Sequence, residues 1–260
     1  MIYISTGGFN NKSFEEVIDY LNQYGITAFE LSGGLYNNNF LDLLIKKNNT
    51  NELAIHNYFP PHEVPFVFNL ASLNKNIGDQ SMAHAKLAID CASRINSGIY
   101  SFHAGYLIDP SVDELGKRIN KRVINPRDKA MEIFIKRVNT ISAYAKKKNI
   151  KLMIENNVLS QKNYEEFNDC PLLMIESRET EEILNYTDKN VGLLVDVAHL
   201  KVSANTMNFS AVEYLEQFFD TINGYHLSDN DGEADTNSPI TKNSWFWPYI
   251  NKNVNYYSLE

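Results

Sequence analysis

The chain has 260 residues, of which 43% are hydrophobic, enough for one large or two smaller domains with a sizeable core. The formal net charge of −8 argues against a large phosphate-binding surface and so disfavours nucleic acid as a partner. The sequence has no long apolar run for a membrane span and no recognisable signal segment, and Cys91 and Cys170 lack metal-binding or redox spacing. We therefore expect a cytoplasmic protein with free thiols and no membrane contact.

Eight short runs predict β-strands, each bounded by turn residues or by amphipathic segments. They are residues 2–6, 28–32, 53–59, 98–105, 151–157, 191–199, 222–229 and 254–260. The first helical segment, SFEEVIDYLNQYG, has Ser13 as N-cap, Glu16 placed for a capping box and Gly25 to end the helix. DKAMEIFIKRVNTISAYAKKKN predicts a long amphipathic helix with lysines in its last turn, and SAVEYLEQFFDTI begins on another serine cap.

The alternation of strands and helices predicts a parallel sheet with right-handed crossovers. Eight strands favour a (β/α)8 TIM barrel, formed as a single domain by residues 1–260. The eighth strand is the last segment of the sequence, so the barrel apparently lacks its eighth helix. We expect an apolar outer face to be left uncovered between the first and seventh helices, and either a homodimer or a longer natural chain to cover it.

Ionisable residues follow six of the predicted strands, at the end of a TIM barrel where active sites lie. They are His56, His103, Glu155, Asp196 with His199, His226 and Glu260. Any one of them has an ordinary structural explanation, but the whole set is difficult to explain in that way. Glu30, near the end of the second strand, can simply cap a loop, while His62 and His84 fall in a proline-rich loop and in a helix.

Asp196 shows why a cation is expected, because it ends an apolar strand in which an uncompensated charge is costly. Imidazole and carboxylate ligands together suit Zn²⁺, Mn²⁺ or Co²⁺, with Mg²⁺ as a further option. His199 is placed for a second ion or a substrate hydroxyl. Asn156 and Asn157 are placed to support the ligands with hydrogen bonds, and Asn156 fits a turn residue equally well.

Four ordered segments carry a family resemblance: SFHAGY, LMIENN, LLVDVAHLKVSA and GYHLSDNDGEAD. With them the chain resembles the xylose-isomerase-like TIM barrels, a superfamily of sugar isomerases, ketose 3-epimerases and endonuclease IV-like enzymes. The resemblance runs from the first strand to the last. In the epimerase pattern it implies one metal site made of Glu155, Asp196, His226 and Glu260, with His199 on a substrate hydroxyl.

The endonuclease pattern of the same superfamily implies up to three zinc ions. His56 and His103 would join the glutamate of the fifth strand around a second site, and His199 would hold a further ion with an Asp-x-His pair. In this sequence that pair reads Asp235 and Asn237, and an amide is a poor zinc ligand. The sequence therefore lies between the two patterns.

The loops at the strand ends favour a small sugar over DNA. SGGLYNNNF is neutral and HLSDNDGEAD is acidic, whereas a nuclease needs basic and aromatic loops to neutralise phosphates and flip a nucleotide. NSWFWPY can close over a ligand or pack in the core of the last crossover. No basic cluster follows strands seven and eight, where barrels often hold phosphate, so we expect a non-phosphorylated substrate.

The prediction is a divalent-metal-dependent sugar isomerase or epimerase that acts through a metal-stabilised enediolate. Glu155 and Glu260 are the expected catalytic pair, one removing the proton next to the carbonyl and the other returning a proton. His199, Asn156 and Asp235 are the expected substrate contacts. Two alternatives remain open: an endonuclease IV-like zinc phosphodiesterase acting on abasic DNA, and a non-catalytic metal-binding barrel that binds a ligand or a protein partner.

Overall fold

The computed structural model describes residues 1–9 and 11–260. All eight predicted strands form, and they pair in parallel and in chain order into a closed barrel. The strands are β1 (Ile2–Ser5), β2 (Ala28–Leu31), β3 (Glu52–His56), β4 (Ile99–His103), β5 (Lys151–Glu155), β6 (Val191–Asp196), β7 (Ile222–Leu227) and β8 (Tyr257–Leu259). The predicted (β/α)8 barrel is therefore confirmed.

Eight α-helices surround the barrel in the described residues, with two after β5 and two after β6. They are α1 (Phe14–Asn22), α2 (Phe40–Asn48), α3 (Lys75–Arg94), α4 (Arg127–Lys146), α5 (Gln161–Phe167), α6 (Ser177–Tyr186), α7 (Val197–Met207) and α8 (Ala211–Gln217). The capping box predicted for the first helix is present, since the backbone N–H of Ser13 donates to Glu16 Oε2 at 2.8 Å. None of the helices described is long and apolar enough to cross a membrane.

The sixth strand is shorter than predicted and leads directly into α7. Residues 197–199 are helical, because the Asp196 side chain caps the helix and accepts a 2.7 Å hydrogen bond from the backbone N–H of His199. Every residue of β6 is buried, as expected for a strand with the barrel interior on one side and helices on the other. One carboxylate thus ends the strand and starts the helix.

A separate apolar cluster fills the barrel interior below the strand ends: Ala54, Met153, Leu194 and Tyr256. Three of these lie two residues before His56, Glu155 and Asp196, and residues two apart face the same side of a strand. The polar residues at the strand ends therefore point into the barrel and rest on an apolar floor.

The connection between β7 and β8 departs from the expected crossover. Residues 228–256, all of them described, form turns and bends and no regular helix. The first part of this segment, SDNDGEADTNSP, is rich in residues that favour turns over helices. Phe246 in the aromatic stretch NSWFWPY is fully buried, so part of that stretch packs into the core.

The outer face of the barrel is least covered where β1 meets β8. Tyr3 packs against Tyr256 inside the barrel, so its neighbour Ile2 faces outward, and Ile2 is 61% exposed. Tyr257 and Leu259, on the same outer face, are half-buried. A homodimer that covers this face stays a prediction.

Candidate metal centre

The strand ends bring the predicted residues together in one cluster at the C-terminal end of the barrel. His56, His103, Glu155 and Asp196 each end a strand, His226 is the second-last residue of β7, and Glu260 follows β8 directly. His56, Glu155, Asp196 and His226 are buried, while His103 and Glu260 are half-buried. The cluster is therefore held by six different strands.

The carboxylate of Glu155 lies at its centre and faces different histidines with its two oxygens. Oε2 lies 3.4 Å from His56 Nε2 and 3.7 Å from His103 Nε2. Oε1 lies 3.2 Å from His199 Nδ1 and 3.4 Å from His226 Nδ1. Because each oxygen faces its own set of nitrogens, this one side chain can serve two neighbouring ligand positions.

Four buried atoms of the cluster make no hydrogen bond to any described residue: Glu155 Oε1, Glu155 Oε2, Asp196 Oδ2 and His226 Nδ1. A buried polar atom without a partner costs about 1–3 kcal/mol, more when charged, so such atoms are rare unless something else binds them. Glu155, Asp196 and His226 each offer a ligand atom within 4.8 Å of the other two. The three residues fit a divalent cation by donor type, spacing and lack of other partners.

Asn156 holds the backbone of Asp196 from both sides. Its Oδ1 accepts from the Asp196 N–H at 2.8 Å and its Nδ2 donates to the Asp196 carbonyl at 3.2 Å. The side chain of Asn157 is engaged in a similar way, donating to the carbonyls of Ala104 and Leu173 at 3.0 and 2.9 Å. Both amides therefore hold the backbone around the cluster in place.

His199 lies in the first turn of α7, beside the three-residue cluster. Its Nε2 is 3.3 Å from Asp235 Oδ2, so the loop after β7 folds back over the strand ends. Asn237 takes no part in this contact, because its Oδ1 accepts a hydrogen bond from Ser228 Oγ at 3.1 Å. The Asp-x-Asn sequence thus brings one carboxylate to His199 and leaves the amide elsewhere.

Glu30 is the residue of the site that the sequence analysis missed. It lies in β2, fully buried, and its Oε2 accepts a 2.8 Å hydrogen bond from His226 Nε2. Ser258 Oγ donates to Glu30 Oε1 at 3.1 Å, and the Tyr256 hydroxyl donates to Oε2. The available signal was the inward position of this glutamate in an otherwise apolar strand, where a charge needs compensation.

Burial acts on all the carboxylates, but their neighbours differ. Burial tends to raise the pKa of Glu155, yet the nearby His103 and His226 outweigh it and hold that pKa well below the ordinary value. Burial raises the pKa of Glu260 to about 8 and that of Asp196 to about 6. The two glutamates that face His226 Nδ1, Glu155 and Glu260, therefore differ strongly in acidity.

The histidines divide in the same way. Burial favours a lower pKa for His226 and His199, but Glu30 and Glu155 around His226, and Asp196 around His199, raise both well above the ordinary value. Burial lowers the pKa of His103 to about 3. His226 and His199 therefore favour the protonated, positively charged form, and the half-buried His103 favours the neutral form.

His62 and His84 form a pair of their own and do not join the cluster. His62 Nε2 lies 2.8 Å from His84 Nδ1, and His84 Nε2 lies 2.8 Å from the Asn57 carbonyl. Four of the six histidines in the chain are therefore in the strand-end cluster, as their positions predicted.

Solved structures show the same fold at low sequence identity. A D-tagatose 3-epimerase-like protein has 19% identity and a TM-score of 0.71, with 100% of this chain and 90% of the other covered. A Thermus thermophilus protein, soaked with ZnCl₂, has 16% identity and a TM-score of 0.63, with 99% and 90% covered. The 3-keto-D-glucoside 4-epimerase of E. coli has 11% identity and a TM-score of 0.62, with 88% and 79% covered.

No curated protein sequence shows a significant match to the chain. The family model described as xylose isomerase-like TIM barrel does match, over residues 15–255. This range begins inside α1 and ends just before β8, so it contains six of the eight strands and nearly all of the helical residues. The protein belongs to the xylose isomerase-like TIM barrel family.

Proposed function

We propose that the protein is a divalent-metal-dependent isomerase or epimerase of a small, uncharged sugar. The observation that carries the proposal is the set of buried atoms on Glu155, Asp196 and His226 that point at one another without partners. The names of the structural neighbours, which include sugar epimerases, support the same reaction class.

Glu155, Asp196 and His226 would hold the cation, with Glu260 as a fourth ligand. Glu260 Oε1 lies 3.3 Å from His226 Nδ1, on the same nitrogen that faces Glu155, so it is within reach of the same point. A bound Zn²⁺ or Mn²⁺ would polarise a sugar carbonyl and stabilise the negative charge that develops when the neighbouring carbon loses its proton.

Proton transfer would fall to the two glutamates. The pKa of Glu155 is held low and that of Glu260 is raised to about 8, a separation typical of paired acid and base groups. Glu155 would accept the proton from the carbon next to the carbonyl, and Glu260 would return one. His199 and Asp235, which lie at the open side of the cluster, would orient a substrate hydroxyl.

The charge of the site supports an uncharged substrate. In the described residues, the ion pairs of Glu30, Glu155, Asp196, Asp235 and Glu260 are all with histidines, and none involves a lysine or an arginine. A phosphate group entering the barrel would meet these carboxylates without a fixed cation to bind it, apart from the metal. Sugar hydroxyls can instead donate to the same oxygens.

A second cation position is part of the proposal. His56, His103 and Glu155 also offer ligand atoms within 4.8 Å of one another, and Glu155 Oε2, which faces both histidines, lacks a hydrogen bond to the described residues. Burial lowers the pKa of both histidines, which favours the neutral form that binds metals. This position would accept a second ion and lets the barrel hold two.

The test is exchange of hydrogen for deuterium on a panel of unphosphorylated ketoses in D₂O, with Zn²⁺- or Mn²⁺-loaded protein. We expect deuterium at the carbon next to the carbonyl for at least one ketose, and loss of exchange after chelation of the metal. Glu155→Gln should lower the exchange rate by about 10²–10⁴-fold. Glu114→Gln is the control, because it changes a buried carboxylate that pairs with Arg122 and is not part of the strand-end cluster. This variant should leave the exchange rate unchanged.

Two results would contradict the proposal. Nicking of an abasic DNA duplex without exchange on any ketose would assign the barrel to phosphodiester hydrolysis. Bound metal with neither exchange nor nicking would leave a barrel that binds a ligand or partner without catalysis.

A further inference from the structure

We propose that Glu30 is a positioning residue that orients His226 so that its Nδ1 is presented to the cation. This inference rests on the metal site of the proposed function and extends it to a strand outside the ligand set. Glu30 lies on β2 and His226 on β7, three strands apart around the closed barrel and 196 positions apart in the sequence.

The hydrogen bond between the two residues fixes the proton on His226. Glu30 Oε2 lies 2.8 Å from His226 Nε2, and an ionised carboxylate only accepts hydrogen bonds, so Nε2 must be the donor. When His226 gives up its second proton to bind a cation, it is therefore Nδ1 that carries the free lone pair. That nitrogen faces Glu155 and Glu260 at 3.4 and 3.3 Å.

Glu30 itself is held on both oxygens. Ser258 Oγ donates to Oε1 at 3.1 Å and the Tyr256 hydroxyl donates to Oε2. Residues in and just before β8 therefore hold the carboxylate in place, and the carboxylate in turn orients His226 of β7. Glu30 is also fully buried, which leaves it no exchange with solvent. The result is a chain of hydrogen bonds from Ser258 of β8 through Glu30 of β2 to His226 Nε2 of β7, and it leaves His226 Nδ1 without a hydrogen bond to any described residue.

The hydrogen bonds made by the Glu30 oxygens distinguish this residue from the proposed metal ligands. Glu30, His56 and His226 also lie close enough to form a metal-binding group, so spacing alone does not decide between a ligand and a supporting role. Both Glu30 oxygens have hydrogen-bond donors, whereas both oxygens of Glu155 have none among the described residues. Glu30 therefore acts behind His226, in the way that carboxylates orient and strengthen metal-binding histidines.

The experiment measures Zn²⁺ and Mn²⁺ affinity of Glu30→Gln by competition with a chelating dye. Glutamine retains an oxygen for His226 Nε2 and places an amide beside Ser258 Oγ, which can accept, so shape is kept and charge is lost. We expect a 10- to 100-fold rise in Kd, on the order found when such supporting carboxylates are lost. Glu114→Gln, the matched buried control, should leave Kd unchanged.

A second measurement needs no variant and covers the case in which Glu30→Gln fails to fold. Side-chain ¹⁵N NMR of the Zn²⁺-loaded wild type should show a protonated Nε2 and a metal-bound Nδ1 on His226. A metal-bound Nε2 would overturn the inference.

The outcomes also separate this inference from the proposed function. A Kd for metal that is insensitive to Glu30→Gln contradicts the inference alone. If the protein catalyses no deuterium exchange but its metal affinity still depends on Glu30, the proposed reaction is contradicted and the inference about Glu30 is retained. Wild-type protein that binds neither cation contradicts both.

Discussion

Asp196→Asn should stabilise the metal-free protein while it weakens metal binding. Asp196 is fully buried, and one of its oxygens, Oδ2, has no hydrogen-bond partner among the described residues. Burial raises its pKa from 3.8 to about 6, so the folded state disfavours the charge that the side chain carries at neutral pH. Asparagine removes this charge and keeps an oxygen for the helix-capping bond to the His199 N–H.

The size of the effect follows from the two pKa values. The folded-state pKa lies above the unfolded one, so the contribution of Asp196 to stability is full below about pH 3.8 and is lost as the pH rises through about 6. At pH 7 the difference amounts to about 3 kcal/mol. Asp196→Asn should recover much of this free energy of unfolding in metal-free protein, and gain less at pH 4.

The assay is urea unfolding of metal-free wild type and variant at pH 7 and pH 4, repeated with saturating Zn²⁺. Zinc should stabilise the wild type strongly and the variant weakly, since stabilisation by a ligand follows its affinity. Asp188→Asn is the control of opposite sign, because Lys146 and the Asn190 N–H stabilise that carboxylate and lower its pKa. A metal-free Asp196→Asn protein less stable than wild type at pH 7, or stabilised by zinc as strongly as wild type, would refute the reasoning.

Three further predictions address the surrounding residues. Asn237→His should add a third bound Zn²⁺ through Asp235 and His199, seen by metal analysis; a third tightly bound ion in the wild type would contradict this and favour the nuclease. Glu260→Gln should lower metal affinity and the deuterium-exchange rate with an unchanged circular dichroism spectrum, and unchanged affinity would remove Glu260 from the ligands. Burial lowers the pKa of His84 from 6.5 in the unfolded chain to about 4 in the folded protein. As the pH falls from 6.5 to 4, His84 is therefore protonated in the unfolded chain before it is protonated in the folded protein, and the free energy of unfolding should fall by about 3 kcal/mol. Urea unfolding of His84→Gln should lack this part of the pH dependence, and an unaltered profile would show that other groups cause it.

The barrel and most of its site could be predicted from the sequence, because the alternation of strands and helices indicates the fold and the position of ionisable residues at strand ends indicates the site. A strand that ends in an ionisable residue is recognisable without a structure; Glu155 and Asp196 end their strands, and His226 is one residue from the end of β7. The parallel topology then places every such end on the same side of the barrel. The convergence of these residues was therefore predictable, while their distances were not.

Glu30 was not recognised because its partners are remote in sequence. Its role depends on His226, Tyr256 and Ser258, and the local sequence AFELS shows a charge that needs compensation without showing which residues compensate it. The missing helix between β7 and β8 has a different cause. The regular alternation of a (β/α)8 barrel implies a helix there, but the turn-forming residues of the segment favour irregular structure.

The most direct test of the account is the position of a bound cation. A crystal of Zn²⁺-loaded protein, measured at the zinc absorption edge, should show an anomalous peak at about 2.0–2.2 Å from Glu155, Asp196 and His226, distances typical of zinc with nitrogen and carboxylate ligands. Glu260 should complete that site, with Glu30 outside the ligand sphere and bonded to His226 Nε2. A peak confined to the surface or to the His62–His84 pair, or no peak at the strand ends of a fully loaded protein, would contradict the assignment of the site and the reaction proposed for it.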